Sequence, residues 1–164
     1  MSRAADFVEI FRRYWAAPSL GGFDTALAED VVLVQPLSRT MRGLAEVRAG
    51  FTPIFAWLPD LHGEVDRWGA KEDILYIEFR LRATIGGKPF EWPVIDRFVL
   101  RDDGKAIERV TYFDPLPLML ATLSRPSSWW GFVRSGAAKA LFASRDKDGR
   151  SRTHAPLPSV RMGN

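Results

Sequence analysis

At 164 residues the chain is long enough to bury one sizeable core and too short to require a second domain. It contains no cysteine, which excludes disulfide staples, thiolate metal sites and a cysteine nucleophile. The formal charge of +3 is unevenly spread: residues 124–164 hold eight Lys/Arg against two Asp/Glu, leaving residues 1–123 mildly acidic, and a solvated end rather than a nucleic-acid partner is the expected reading of the basic stretch.

The opening residues lack the apolar run and cleavage pattern of a secretory signal, and no run approaches the roughly 18–20 apolar residues of a membrane span, so a cytoplasmic protein is expected. Phe7, Ile10, Phe11 and Tyr14 recur at three- and four-residue spacing and predict a helix from about Ala4 to Ala17. Pro18 and Gly21-Gly22 stop it. A short helix over Asp24 to Leu27 leads into "VVLVQP", a β-rich run ended by Pro36. From about Leu44 to Leu58 a second amphipathic helix turns Leu44, Val47, Phe51, Ile54 and Phe55 inward, with Pro53 set to bend it.

After "LPDLHGEVDRW" the period changes to two. Leu75, Ile77, Phe79, Leu81, Ala83 and Ile85 alternate with polar residues along a strand from Ile74 to Ile85. Gly86-Gly87 then makes a hairpin turn into a strand from Phe90 to Leu100. "RDDGK" turns into a third strand, "AIERVTYF". Three strands joined by tight turns favour an antiparallel sheet, and helices first with sheet afterwards make an α+β fold. Composition changes near Leu123. Residues 1–123 are read as the folded domain, and 124–164 as a basic C-terminal extension: a possible helix from Trp129 to Phe142, then a stretch with the composition of a disordered tail. Docking of that extension on the body is favoured over weak contact with an anionic membrane, because its apolar residues form no single stripe and Gly131 and Gly136 weaken the helix.

One residue breaks the alternation. Asp96 falls on the face of Phe90, Trp92, Val94, Phe98 and Leu100. A carboxylate there is either a hydrogen-bonded structural residue or part of a cavity wall, and burial favours its neutral form. Tyr14 ends the apolar face of the first helix and is its natural companion, either as a core tyrosine or as a hydroxyl aimed at a ligand. Gln35 lies at the end of its β segment and is able to orient a ligand, but an amide is no general base. Arg109 shares a face with Thr111 and Phe113. If that face is inward, Arg109 pairs with Asp96 or an anionic ligand; if not, it is a surface or interface residue. His62 and His154 have no second histidine in ligand register, so no metal and no cofactor are expected.

Tyr14 in "RYWAA", the "EDVVLVQP" segment, "LPDL", "VIDRF" and the closing "TYFDP" together resemble the nuclear transport factor 2-like superfamily, in its ketosteroid isomerase and SnoaL-like polyketide cyclase branch, over about residues 5–118. The resemblance implies an α+β barrel: a cone-shaped curved sheet around the N-terminal helices, enclosing a small-molecule cavity and commonly dimeric through its outer face. It implies that Tyr14 and a protonated Asp96 act as oxyanion donors. The proton-shuttling carboxylate of the isomerases falls on Gln35, which cannot replace it. Related epoxide hydrolases place a charged set at positions that here are Ile77, Phe79 and Thr111, so their reaction is set aside. The expectation is a small hydrophobic or carbonyl-containing ligand in a pocket that includes Gln35, Trp92, Arg109, Thr111 and Phe113, in a homodimer. The alternative is an isomerase, cyclase or dehydratase that stabilises an enolate-like oxyanion with Tyr14 and Asp96.

Overall fold

The computed structural model describes residues 2–137. Helix α1 spans Arg3–Ala16 and is capped by Ser2, whose hydroxyl accepts from the Ala5 amide. A 3-10 turn at Leu20–Gly22 leads through α2 (Phe23–Ala26) into β1 (Leu27–Val34). The two-residue β2 (Met41–Arg42) precedes α3 (Gly43–Trp57), which continues through Pro53 although the proline removes the donor that Ala49 would meet in a regular helix. Then follow β3 (His62–Lys71), β4 (Ile74–Ile85), β5 (Lys88–Leu100) and β6 (Ala106–Tyr112). Two further helices, α4 (Pro115–Leu123) and α5 (Pro126–Arg134), complete the described chain.

The strands form one six-stranded sheet in the order β2-β1-β6-β5-β4-β3. This corrects the barrel expected from the resemblance. The sheet is open, with β2 and β3 as separate edges, and α1 and α3 rather than strand pairing cover its inner side. The β4–β5 hairpin forms as the alternation predicts: Ile85 pairs with Lys88 across Gly86 and Gly87, whose φ values of 57° and 76° are those of a primed two-residue turn. β4, β5 and β6 pair antiparallel as expected, and two features lie beyond that expectation. β1 pairs with β6 in parallel, an arrangement that a tight turn could not connect and that the long α3–β3–β4–β5 excursion between them permits. β3 is a long edge strand whose residues are nearly all exposed or half-buried, so it carries no apolar alternation to reveal it.

The core lies between the inner sheet face and the helices. Phe7, Phe11 and Trp15 of α1 stand at four-residue spacing against Phe79 and Phe98, with Phe11 edge-on to both at centroid distances of 5.0 and 5.6 Å. Each such fully buried aromatic contributes roughly 2–3 kcal/mol of hydrophobic stabilisation. The outer face of the same strands carries ion pairs instead, including Arg80 with Asp66 and Arg82 with Glu91. The possible helix predicted for Trp129 to Phe142 begins earlier, at Pro126, and is helical to Arg134. Its predicted continuation beyond 137, and the expected disordered tail, lie outside the described residues.

Candidate functional site

Period two along β5 puts Asp96 on the inner face, and the structure buries it completely. On β6 the register sets Thr111 opposite Asp96 and Arg109 opposite Phe98, so the two inward polar side chains of β6 flank the carboxylate. Arg109 donates to Asp96 Oδ2 from Nε at 2.8 Å, and its Nη2 lies 2.7 Å from the same oxygen. The Thr111 hydroxyl donates to Oδ1 at 2.6 Å. Burial pushes the Asp96 carboxyl above its usual range, while the Arg109 charge and the hydrogen bonds of Thr111 and Arg109 pull against that rise. Because a guanidinium keeps its charge, the ionised carboxylate is the state that leaves no net charge buried.

Arg109 is itself only 4% exposed and lies 5.7 Å from the Trp15 ring centroid and 6.0 Å from that of Phe51. These residues form part of the wall of a cavity of about 720 Å³ between the sheet and the helices. Gln35, Trp92, Arg109, Thr111 and Phe113 all line it, with Phe51, Ile54, Leu58 and Leu81 supplying apolar surface. Among the described residues that line it, Arg109 alone carries a formal charge. Such a space, largely apolar with a few polar groups, is the form small-molecule sites take.

Two of the candidate residues are arranged differently from the isomerase pattern. Asp96 stands behind Arg109 and Thr111, with both oxygens engaged. Tyr14 is absent from the cavity wall: its ring packs against Phe23 and Trp15 and over Gly22, where an added Cβ would come within 2.7 Å of the ring. Its hydroxyl is buried without a hydrogen-bond partner among the described residues, so nothing joins it to Asp96. Burial holds the Tyr14 phenol well above its usual range, with the Arg109 charge working in the opposite direction. His62 lies exposed on the edge strand, bonded to the Asp60 carbonyl, and no metal-binding cluster occurs among the described residues.

Other wall residues were not anticipated from the sequence. Trp15, one position beyond Tyr14, lines the cavity, and its indole Nε1 is buried without a partner among the described residues. The Phe7, Phe11, Trp15 series at four-residue spacing was the available signal. The outer end of the cavity is built by α4 and α5, through Leu118, Met119, Thr122 and Phe132. Asp114 caps α4 by accepting from the Leu116 amide. Three contacts fasten the pair: Arg125 Nη1 donates to the Ile85 carbonyl at 2.9 Å, Trp129 Nε1 to the Thr122 carbonyl at 2.9 Å, and Phe132 packs on Trp57 at 4.9 Å between centroids. Leu37, at the rim, adopts a φ of 62°, a left-handed conformation that costs a leucine about 1–2 kcal/mol.

Residues 7–109 match the family described as the SnoaL-like domain. No curated protein matches the chain in sequence. Three solved structures illustrate the likeness. IdmH of Streptomyces antibioticus, a candidate polyketide cyclase, is 20% identical with a TM-score of 0.64, over 75% of this chain and 99% of its own. TerC, co-crystallised with polyporic acid, is 16% identical with a TM-score of 0.67, over 74% and 98%. An NTF2-like protein of unknown function from Burkholderia pseudomallei is 20% identical with a TM-score of 0.66, over 74% and 98%. At these identities the likeness to solved structures is one of fold.

Proposed function

The chain belongs to the SnoaL-like domain family, and from that premise we propose that it binds a small, largely apolar molecule in the cavity between sheet and helices. One observation carries the reading: the cavity of about 720 Å³ is walled by aromatic and aliphatic side chains with a single charged residue, Arg109, held by a buried partner. Docking of α4 and α5 over the cavity supports a site that shields its occupant from water. Saturable one-to-one binding of an apolar fluorescent dye, weakened at least about tenfold by Leu118→Trp, which fills the space from its wall, is the expected result. Absence of saturable binding by the wild-type protein would reject it.

Carbonyl chemistry, as in an isomerase, cyclase or dehydratase, is the second reading. It is favoured by the permanent charge of Arg109 in a desolvated wall, a suitable stabiliser for a developing oxyanion. On this reading the electrophile is Arg109 rather than Tyr14 and Asp96, and the described cavity wall offers no titratable base to accompany it. Binding is therefore the preferred function.

We also infer a homodimer through the outer face of the sheet, where Val34, Tyr76, Ile95 and Tyr112 are exposed on four adjacent strands. Light scattering is expected to give twice the chain mass for the wild-type protein and the single mass for Ile95→Lys.

A further inference from the structure

We infer that the outward face of α4 and α5 is a contact surface for an anionic lipid bilayer, with the basic chain that follows it supplying much of the charge. This contact is independent of what the cavity holds. On α4, Leu116, Leu120 and Leu123 recur at four- and three-residue spacing and are all exposed. On α5, Phe132 packs on Trp57 and the Trp129 indole nitrogen donates to the Thr122 carbonyl, while Trp130 and Val133 stand out at 74% and 63% exposure. The Trp129 bond sets the start of α5 against the last turn of α4, so the exposed apolar residues of both helices meet near Leu123. The sequence from Trp129 onward has no single apolar stripe of its own; the face needs both helices docked side by side. Docking on the body and contact with lipid use different sides of α5.

Single exposed apolar residues need no explanation, but a cluster around a protruding tryptophan does. The charges beside this cluster are of one sign. Between Pro115 and Ser144 the charged residues are Arg125, Arg134 and Lys139, and residues 145–164 add five Lys/Arg against Asp146 and Asp148. The outer sheet face differs. There Tyr76, Ile95 and Tyr112 stand among ion pairs such as Arg67–Glu78 and Arg97–Glu108, so two copies bring both signs together. Two copies meeting through α4 and α5 would set cations against cations.

A bilayer with anionic headgroups matches both properties. Its acyl boundary receives leucine and valine side chains, tryptophan settles at headgroup level, and Lys/Arg are drawn to the surface. Residues 138–164 hold six Lys/Arg but only five large apolar residues, Leu141, Phe142, Leu157, Val160 and Met162, so they supply charge better than apolar cover. Among the described residues no helix is long and apolar enough to cross a membrane, so the contact is peripheral. Met119 and Leu123 belong both to this exposed surface and to the cavity wall, which sets the bilayer at the outer end of the cavity.

The test is co-sedimentation of the full chain with vesicles of phosphatidylcholine alone or with about one-third phosphatidylglycerol. Wild-type protein is expected to bind the anionic vesicles at least about tenfold more tightly than the neutral ones, and less tightly as salt is added. Leu120→Ser/Trp130→Ser alters two exposed residues outside the cavity wall, and is expected to weaken that binding at least about tenfold while leaving thermal unfolding and dye binding unchanged. No binding to anionic vesicles, or equal binding to neutral ones, overturns the inference. Unchanged vesicle binding by the double variant overturns the face and leaves the basic chain acting alone. If the double variant instead frees residues 138–164 to proteolysis, the chain's own extension covers the face. If it dissolves a wild-type assembly larger than a dimer, a second copy does, and either result overturns the lipid contact.

Discussion

Strands β5 and β6 carry two arginine–carboxylate pairs on opposite faces, and the contrast explains why one is a candidate for function. Outside, Arg97 meets Glu108 with side chains 24% and 39% exposed. Inside, Arg109 meets Asp96 with 5% and 0% exposed. The chemistry is the same and the surroundings are not. A pair bathed in water contributes about 0–1 kcal/mol and is screened by salt. A buried pair returns little net stability over an apolar substitute, yet breaking it by removing one partner costs about 3–5 kcal/mol. The inner pair is thus an expensive way to fill a core, and its geometry makes sense as a means of holding a cation against a cavity.

The largest break in this contrast comes from Arg109→Met, which leaves Asp96 buried without its countercharge. A loss of about 3–5 kcal/mol in denaturant unfolding is expected. The double variant Asp96→Leu/Arg109→Met is expected to be more stable than either single variant, because the uncompensated charge is gone. Thr111→Val removes one donor to the carboxylate and is expected to cost about 1–3 kcal/mol.

Tyr14 supplies a pH-dependent effect. Its folded-state value lies above the ordinary phenol value near 10, so its contribution is fully present below that pH and is lost as the pH rises toward the folded-state value. Stability of the wild-type protein should fall above pH 10 more steeply than that of Tyr14→Phe, measured by urea unfolding across the range. At the small end, Arg97→Ala is expected to change stability by less than about 1 kcal/mol, with the difference shrinking in added salt.

Much of the framework could be read from periodicity. The alternation along β4 and β5 and the Gly86-Gly87 turn place the hairpin and turn Asp96 inward, because a buried strand face leaves a regular apolar trace. The exposed edge strand β3 leaves no such trace, and the parallel contact of β1 with β6 depends on residues far apart in sequence. The polar set was readable in part. Asp96 stood out as a carboxylate on an apolar face, whereas the orientation of Arg109 was ambiguous until β6 was docked beside β5, since both faces of that strand are mixed. Helical periodicity alone does not decide between Tyr14 and Trp15: consecutive residues on α1 differ by about 100° in direction, and packing against Gly22 and Phe23 sends the phenol away from the cavity. The contribution of α4 and α5 to the wall follows from tertiary docking, which no local pattern in "DPLPLMLATL" reveals.

The most direct measurement is the infrared stretch of a ¹³C-labelled fluorenone carbonyl bound to the wild-type protein, compared with the same molecule in hydrocarbon solvent. A clear downward shift is the result expected when Arg109 donates to the oxygen from the cavity wall. A stretch at the hydrocarbon value in the bound wild-type complex would contradict the account, because the carbonyl would then lie in the cavity without meeting the cation that Asp96 holds there.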